Sequence, residues 1–210
     1  MTQSHIKRGS KKSQSGFSLV EALIVVAIIF ILSAVALIST QQLLTNYKAD
    51  AAASVVTTQL RAARQLAISR RHNVQITFTT TVAAPDFAPS ISYQQITSGL
   101  AGETVPAAVT VPLPPYSTFT LQTGQGDTPM GFGNVSPVYI GGVSNGPPNM
   151  YFSTNGSFVA ANAPINGTFF VGTVNKPSSA RAVTILGSTG RIRTYYWTGV
   201  STTSPSGWRE

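Results

Sequence analysis

Glu21 is the single acid in an apolar run from Phe17 to Ile38, and it lies near the start of that run. A charged side chain near the middle of a bilayer costs roughly 2.5 to 3.5 kcal/mol on insertion scales, so a chain keeps one only with a partner or a function. Two roles are open to Glu21: an ion pair with a cation from elsewhere, or an interfacial position where it reaches water. A second group is Gly190-Arg191-Ile192-Arg193. On a strand, Arg191 and Arg193 project from one face, and two adjacent guanidiniums form a phosphate-binding pair. Tyr195 continues that face and is placed to stack on a base. The alternative is an edge strand whose arginines guard against aggregation.

Other chemistry finds little support. His5 and His72 are the two histidines, so a Ser-His-Asp group would have to be built on His72 with Asp50, Asp86 or Asp127. No Gly-x-Ser-x-Gly elbow marks a nucleophile. His72 next to Asn73 is better read as capping the last carbonyls of a helix. Gly124-x-Gly126 and Gly131-x-Gly133 lack the strand-Gly-helix setting of a nucleotide site. Asp86, Glu103 and Asp127 are too scattered for calcium, and without cysteine there is neither a disulfide framework nor a thiolate site. The reading is a non-enzyme with no metal and no cofactor.

The stretch Gly16-Phe17-Ser18-Leu19-Val20-Glu21 resembles the prepilin site of the type IV pilin and type II secretion pseudopilin superfamily: a short basic leader ending in Gly, then Phe, then Glu as the fifth mature residue. The resemblance implies cleavage between Gly16 and Phe17 by a prepilin peptidase that also methylates Phe17. It further implies that Glu21 pairs with the N-terminus of a neighbouring subunit during assembly.

The elements that would position these residues start with the leader. Lys7, Arg8, Lys11 and Lys12 precede the apolar run with no acid among them, so the positive-inside rule keeps residues 1–16 in the cytoplasm. The 22 residues from Phe17 to Ile38 suffice to cross a hydrocarbon core of about 30 Å. A rival reading is a secretory signal cleaved after Ala34-Val35-Ala36, but the run exceeds the usual ~7 to 15 residues of such a signal. Charged residues make up 10% of the chain, against about 25% in soluble domains, as suits a subunit packed in a fibre. Losing the leader's four cations lowers the formal net charge from +8 to +4.

No Gly or Pro occurs from Phe17 to Arg71, which predicts one helix of about 55 residues, roughly 80 Å long. Ala52, Val56, Leu60, Ala63 and Ala67 mark its buried face, with Thr57, Arg61, Arg64 and Arg71 on another. Arg61 and Arg64 are neighbours at i, i+3 and read as a solvated face. Val74, Ile76 and Phe78 then alternate with polar residues as a half-buried strand. Further strands are expected at residues 91–97, 117–122, 168–174, 181–186 and 191–197. Asn155-Gly156 signals a type I′ hairpin turn. The Pro- and Gly-rich region from Thr80 to Pro148 reads as short strands joined by long surface loops. The fold class is α+β, a long helix packed on an antiparallel sheet, with residues 1–16 as leader, 17–71 as helix with a transmembrane segment at 17–38, and 72–210 as a periplasmic β-rich domain.

The pattern Leu60-Arg61-Ala62-Ala63-Arg64-Gln65-Leu66-Ala67, leading into the strand at Val74, resembles the GspH/FimT minor pseudopilins. That resemblance implies a single-pass bacterial inner-membrane protein that assembles with other pilins or pseudopilins, in a type II secretion pseudopilus supporting protein export or at a type IV pilus. Gly190-Arg191-x-Arg193 resembles a FimT feature linked to DNA capture, which implies a DNA contact by Arg191 and Arg193.

Overall fold

The computed structural model describes residues 18–80, 88–96, 104–199 and 207–210, with side chains of 35–39 left out. Its first element is helix α1, Leu19–Arg70; the expected first residue, Phe17, lies outside the described residues. Glu21 in the first turn meets the positive end of the helix dipole. The helix stops where Arg71 takes a left-handed φ of 54°. His72 Nδ1, 2.7 Å from the Arg70 carbonyl, donates to it as the capping reading expects.

The chain divides into two compact units, one ending at Gln42 and one covering Leu43–Glu210. In the second unit, thirteen strands follow the helix among the described residues. These are β1 (Val74–Thr79), β2 (Ser90–Gln95), β3 (Val109–Pro112), β4 (Thr118–Phe119), β5 (Val138–Ile140), β6 (Val143–Ser144) and β7 (Tyr151–Phe152). Then come β8 (Phe158–Ala160), β9 (Ala163–Pro164), β10 (Gly167–Gly172), β11 (Arg181–Leu186), β12 (Arg191–Trp197) and β13 (Trp208–Arg209). They form two antiparallel sheets instead of the one expected. The first runs β3-β2-β1-β7-β8-β9; the second runs β13-β12-β11-β10-β5-β6, with β4 also on β10.

The expected helix stripe is the core: Ala52, Val56, Leu60, Ala63 and Ala67 are fully buried. They pack in one cluster with Val74, Ile76 and Ile91 of the first sheet and Val138, Ile140, Phe169, Val183 and Ile185 of the second. Strand β10 is buried on both faces, because Phe169 and Val171 enter this cluster while Phe170 enters a smaller one with Ala182, Tyr195 and Trp208.

Two expectations change, while the region 80–148 holds short strands as expected and contributes Leu113, Phe119, Val138 and Ile140 to the core. The turn at Asn155-Gly156 is a five-residue loop, with Phe152 opposite Phe158. Only Gly156 takes positive φ there, because Asn155 Oδ1 accepts from the Ser157 amide and closes the loop without leaving the ordinary region. Thr57, assigned to the outer helix face, is buried and shares a 3.0 Å hydroxyl hydrogen bond with Thr194 of β12.

Candidate functional site

Glu21 is exposed on the first turn of α1. Around it Leu19, Leu23, Ile24, Val25, Ile28, Ile29 and Phe30 are also exposed. Exposed apolar side chains in such number cost free energy in water. Gly16 and Phe17 lie outside the described residues. Among the described residues, no helix is long and apolar enough to cross a membrane; the expected span, 17–38, extends beyond the residues whose side chains are described.

Strand β12 sets the arginine pair and Tyr195 on one face, as alternation along a strand expects. Ile192 packs on the core and Thr194 bonds to Thr57 of the helix, so the opposite face of β12 carries Arg191, Arg193 and Tyr195. Arg191 is exposed. Arg193 donates through Nη1 to Glu210 Oε2 at 3.0 Å. The neighbouring Tyr195 hydroxyl and, more weakly, the Glu210 carboxylate favour the charged guanidinium and raise its pKa above the ordinary arginine value. Tyr195 is only 3% exposed. Its ring is committed to the cluster of Phe170, Ala180, Ala182 and Trp208, so it offers no face for a base.

Several polar side chains do work that the sequence did not announce. Arg64 Nε donates to the Gly156 carbonyl at 3.1 Å and its Nη2 to the Thr189 carbonyl at 3.0 Å. One guanidinium thereby ties the β7–β8 loop of one sheet to the β11–β12 turn of the other. Glycine is required at the junction: a Cβ on Gly190, whose φ is +63°, would lie 2.0 Å from the Gly156 oxygen. Arg181, buried, pairs with Asp50 on the helix and donates to the Ser178 and Ala180 carbonyls. Nothing in local sequence marks these pairings, although an Arg opening a mostly apolar strand, as in Arg181-Ala182-Val183, is a usable hint of a buried ion pair.

Among the described residues, the candidate acids Asp50 and Asp127 have partners of their own. Asp50 serves Arg181, and Asp127 accepts from the Thr128 and Gly133 amides at 2.7 and 2.8 Å. His72 caps the helix, while Asp86 lies outside the described residues. Among the described residues no group of three or more His, Cys, Asp or Glu is placed to hold a metal ion.

Residues 11–37 match the profile of the prokaryotic N-terminal methylation motif. That span contains Gly16, Phe17 and Glu21. Among solved structures, the type IV minor pilin FimU of Pseudomonas aeruginosa is similar at 19% identity and TM-score 0.41, covering 69% of this chain and 90% of that one. The minor pseudopilin EpsH from the type 2 secretion system of Vibrio cholerae is similar at 11% identity and TM-score 0.42, covering 71% of this chain and 97% of that one. At these scores the fold rests on the chain's own elements. No curated protein matches the chain. What the chain shares with a known family model is thus its methylation segment, which leads into one long helix followed by an antiparallel β-unit.

Proposed function

We propose that the chain is a minor pseudopilin of the GspH type, a structural subunit of a type II secretion pseudopilus that supports protein export. The observation that carries this reading is the methylation motif over residues 11–37, with Glu21 exposed on the first turn of an apolar helix. In this reading residues 17–38 hold the subunit in the bacterial inner membrane, with the β-unit on the periplasmic side. A prepilin peptidase removes residues 1–16 and methylates Phe17. Glu21 then docks against the Phe17 amine of a neighbouring subunit in a low-dielectric filament core, where an unpaired charge is costly and correct register satisfies both groups.

Purified filaments test it. Mass spectrometry of the incorporated chain is expected to find Phe17 as the first residue, heavier by one methyl group. Glu21→Ala is expected to leave membrane insertion intact and to lower incorporation; normal incorporation of that variant would sink the assembly role.

The second reading is a FimT-like minor pilin that binds DNA through Arg191 and Arg193. Arg191, exposed on β12, favours it. The Glu210 carboxylate on Arg193 and the burial of Tyr195 count against it.

A further inference from the structure

Beside Arg191 lies a groove of about 590 Å³, formed by Arg61, Arg64 and Gln65 of α1 and by Thr189, Gly190, Arg191 and Ile192 of the β11–β12 turn. Three arginines therefore line one opening, and no Asp or Glu lines it. The described carboxylates of this unit are occupied elsewhere: Asp50 by Arg181, Asp127 by backbone amides and Glu210 by Arg193. Asp50 borders a smaller adjoining depression that Arg61 also lines, but its ion pair is with Arg181. Arg64 is held by two carbonyls, so it supplies a fixed positive charge to the lining. Arg61 and Arg191 are exposed at the two sides.

Like charges gathered this way repel one another, and the repulsion is relieved by an anion placed between them. A guanidinium fork matches the two oxygens of a carboxylate. The groove holds one or two side chains rather than a length of duplex, and its neighbour Arg193 is already neutralised. An acidic side chain fits these features better than a phosphate backbone, which needs a longer basic track.

We infer that the Arg61–Arg64–Arg191 groove is a docking site for a Glu or Asp side chain presented by a neighbouring protein subunit. The inference rests on the reading of this chain as a filament subunit. It gives the β-unit its own specificity contact, set apart from the Phe17–Glu21 pairing of the helix ends. Docking weakens as ionic strength rises, because both side arginines are open to solvent and are screened.

The test uses the full chain in detergent micelles with ¹⁵N-labelled arginine, titrated with acetyl-Gly-Glu-Glu-Gly-amide while the arginine side-chain resonances are followed by NMR. Saturable, salt-sensitive shifts at Arg61 and Arg191 are expected, and the Arg61→Gln, Arg191→Gln double variant is expected to bind about tenfold more weakly or worse, as the loss of one charge-assisted bond implies. The variant leaves Arg64 in place, and unchanged tryptophan fluorescence verifies its fold. Equal binding of the Gln-for-Glu peptide, or an equal loss in an Arg70→Gln, Arg71→Gln control, would overturn the assignment. So would shifts at Arg61 and Arg191 with short duplex DNA and none with the peptide, which would hand the groove to nucleic acid. The filament analysis separates the two levels. Absence of the wild-type chain from filaments defeats the subunit reading whatever the titration gives, whereas an incorporated chain that ignores the peptide defeats the groove alone.

Discussion

Arg64 concentrates in one residue what the motif Leu60-x-x-Ala63-Arg64-x-x-Ala67 does as a whole. Leu60, Ala63 and Ala67 vanish into the core, and the small side chains let the helix come close enough for Arg64 to reach two turns. Arg64→Ala is expected to lower stability by about 1–3 kcal/mol, since both carbonyls lose a charged donor. Arg64→Lys should restore little, because a point ammonium lacks the planar fork that spans both acceptors. Urea unfolding followed by Trp197 and Trp208 fluorescence measures both variants. Gly190→Ala is expected to be more damaging than its size suggests: a left-handed φ and a contact with the Gly156 oxygen combine at one atom. The helical face was legible from spacing alone. The role of Arg64 was not, because its acceptors are fixed only when turns far along the chain meet.

At the scale of elements, strand β12 was readable from Arg191 to Trp197, and so were β1 and β11, because each has six or seven residues of β-forming type. Strands of two or three residues, such as β5 and β13, carry too few side chains for a period to register. Pro and Gly between Thr80 and Pro148 correctly marked breaks but concealed Leu113 and Val138, whose burial is decided by the sheets they join. Strand β13 shows how much a two-residue element can hold. Trp208 packs on Phe170 and Trp197 with ring centroids 5.7 and 5.0 Å apart, and its Nε1 donates to the Gly126 carbonyl at 2.8 Å. Trp208→Ala is expected to cost about 3–5 kcal/mol, in the range of buried aromatic truncations. Loss of the near-ultraviolet circular dichroism signal should accompany it, while a fully retained thermal midpoint would show the cluster to be dispensable.

For the whole molecule, the division of labour is between an apolar helical start that carries the methylation motif and a β-unit with mild positive charge. The motif was legible because its chemistry is local: basic residues, then Gly16-Phe17, then an acid at fixed spacing. The DNA reading depends on tertiary placement and fares accordingly. Titration of the full chain with duplex DNA at several salt concentrations is expected to give weak binding, since one exposed arginine of the pair remains unpaired by Glu210. Tight binding with a steep salt slope, lost on Arg191→Ala and Arg193→Ala together, would reverse that preference.

The seam between β1 and β7 sets Val74 opposite Phe152, and this has a consequence in time. The β7 side of the first sheet cannot join β1 until that second segment has been made, while β1 can already pair with β2. Pairing of such distant segments slows folding, on the order of milliseconds to seconds for sheet-dominated units. During that interval unpaired strand edges invite association with other chains. Kinetic competition between closing this seam and aggregating therefore governs the yield of usable subunit, and substitutions that leave the finished structure untouched can still lower it.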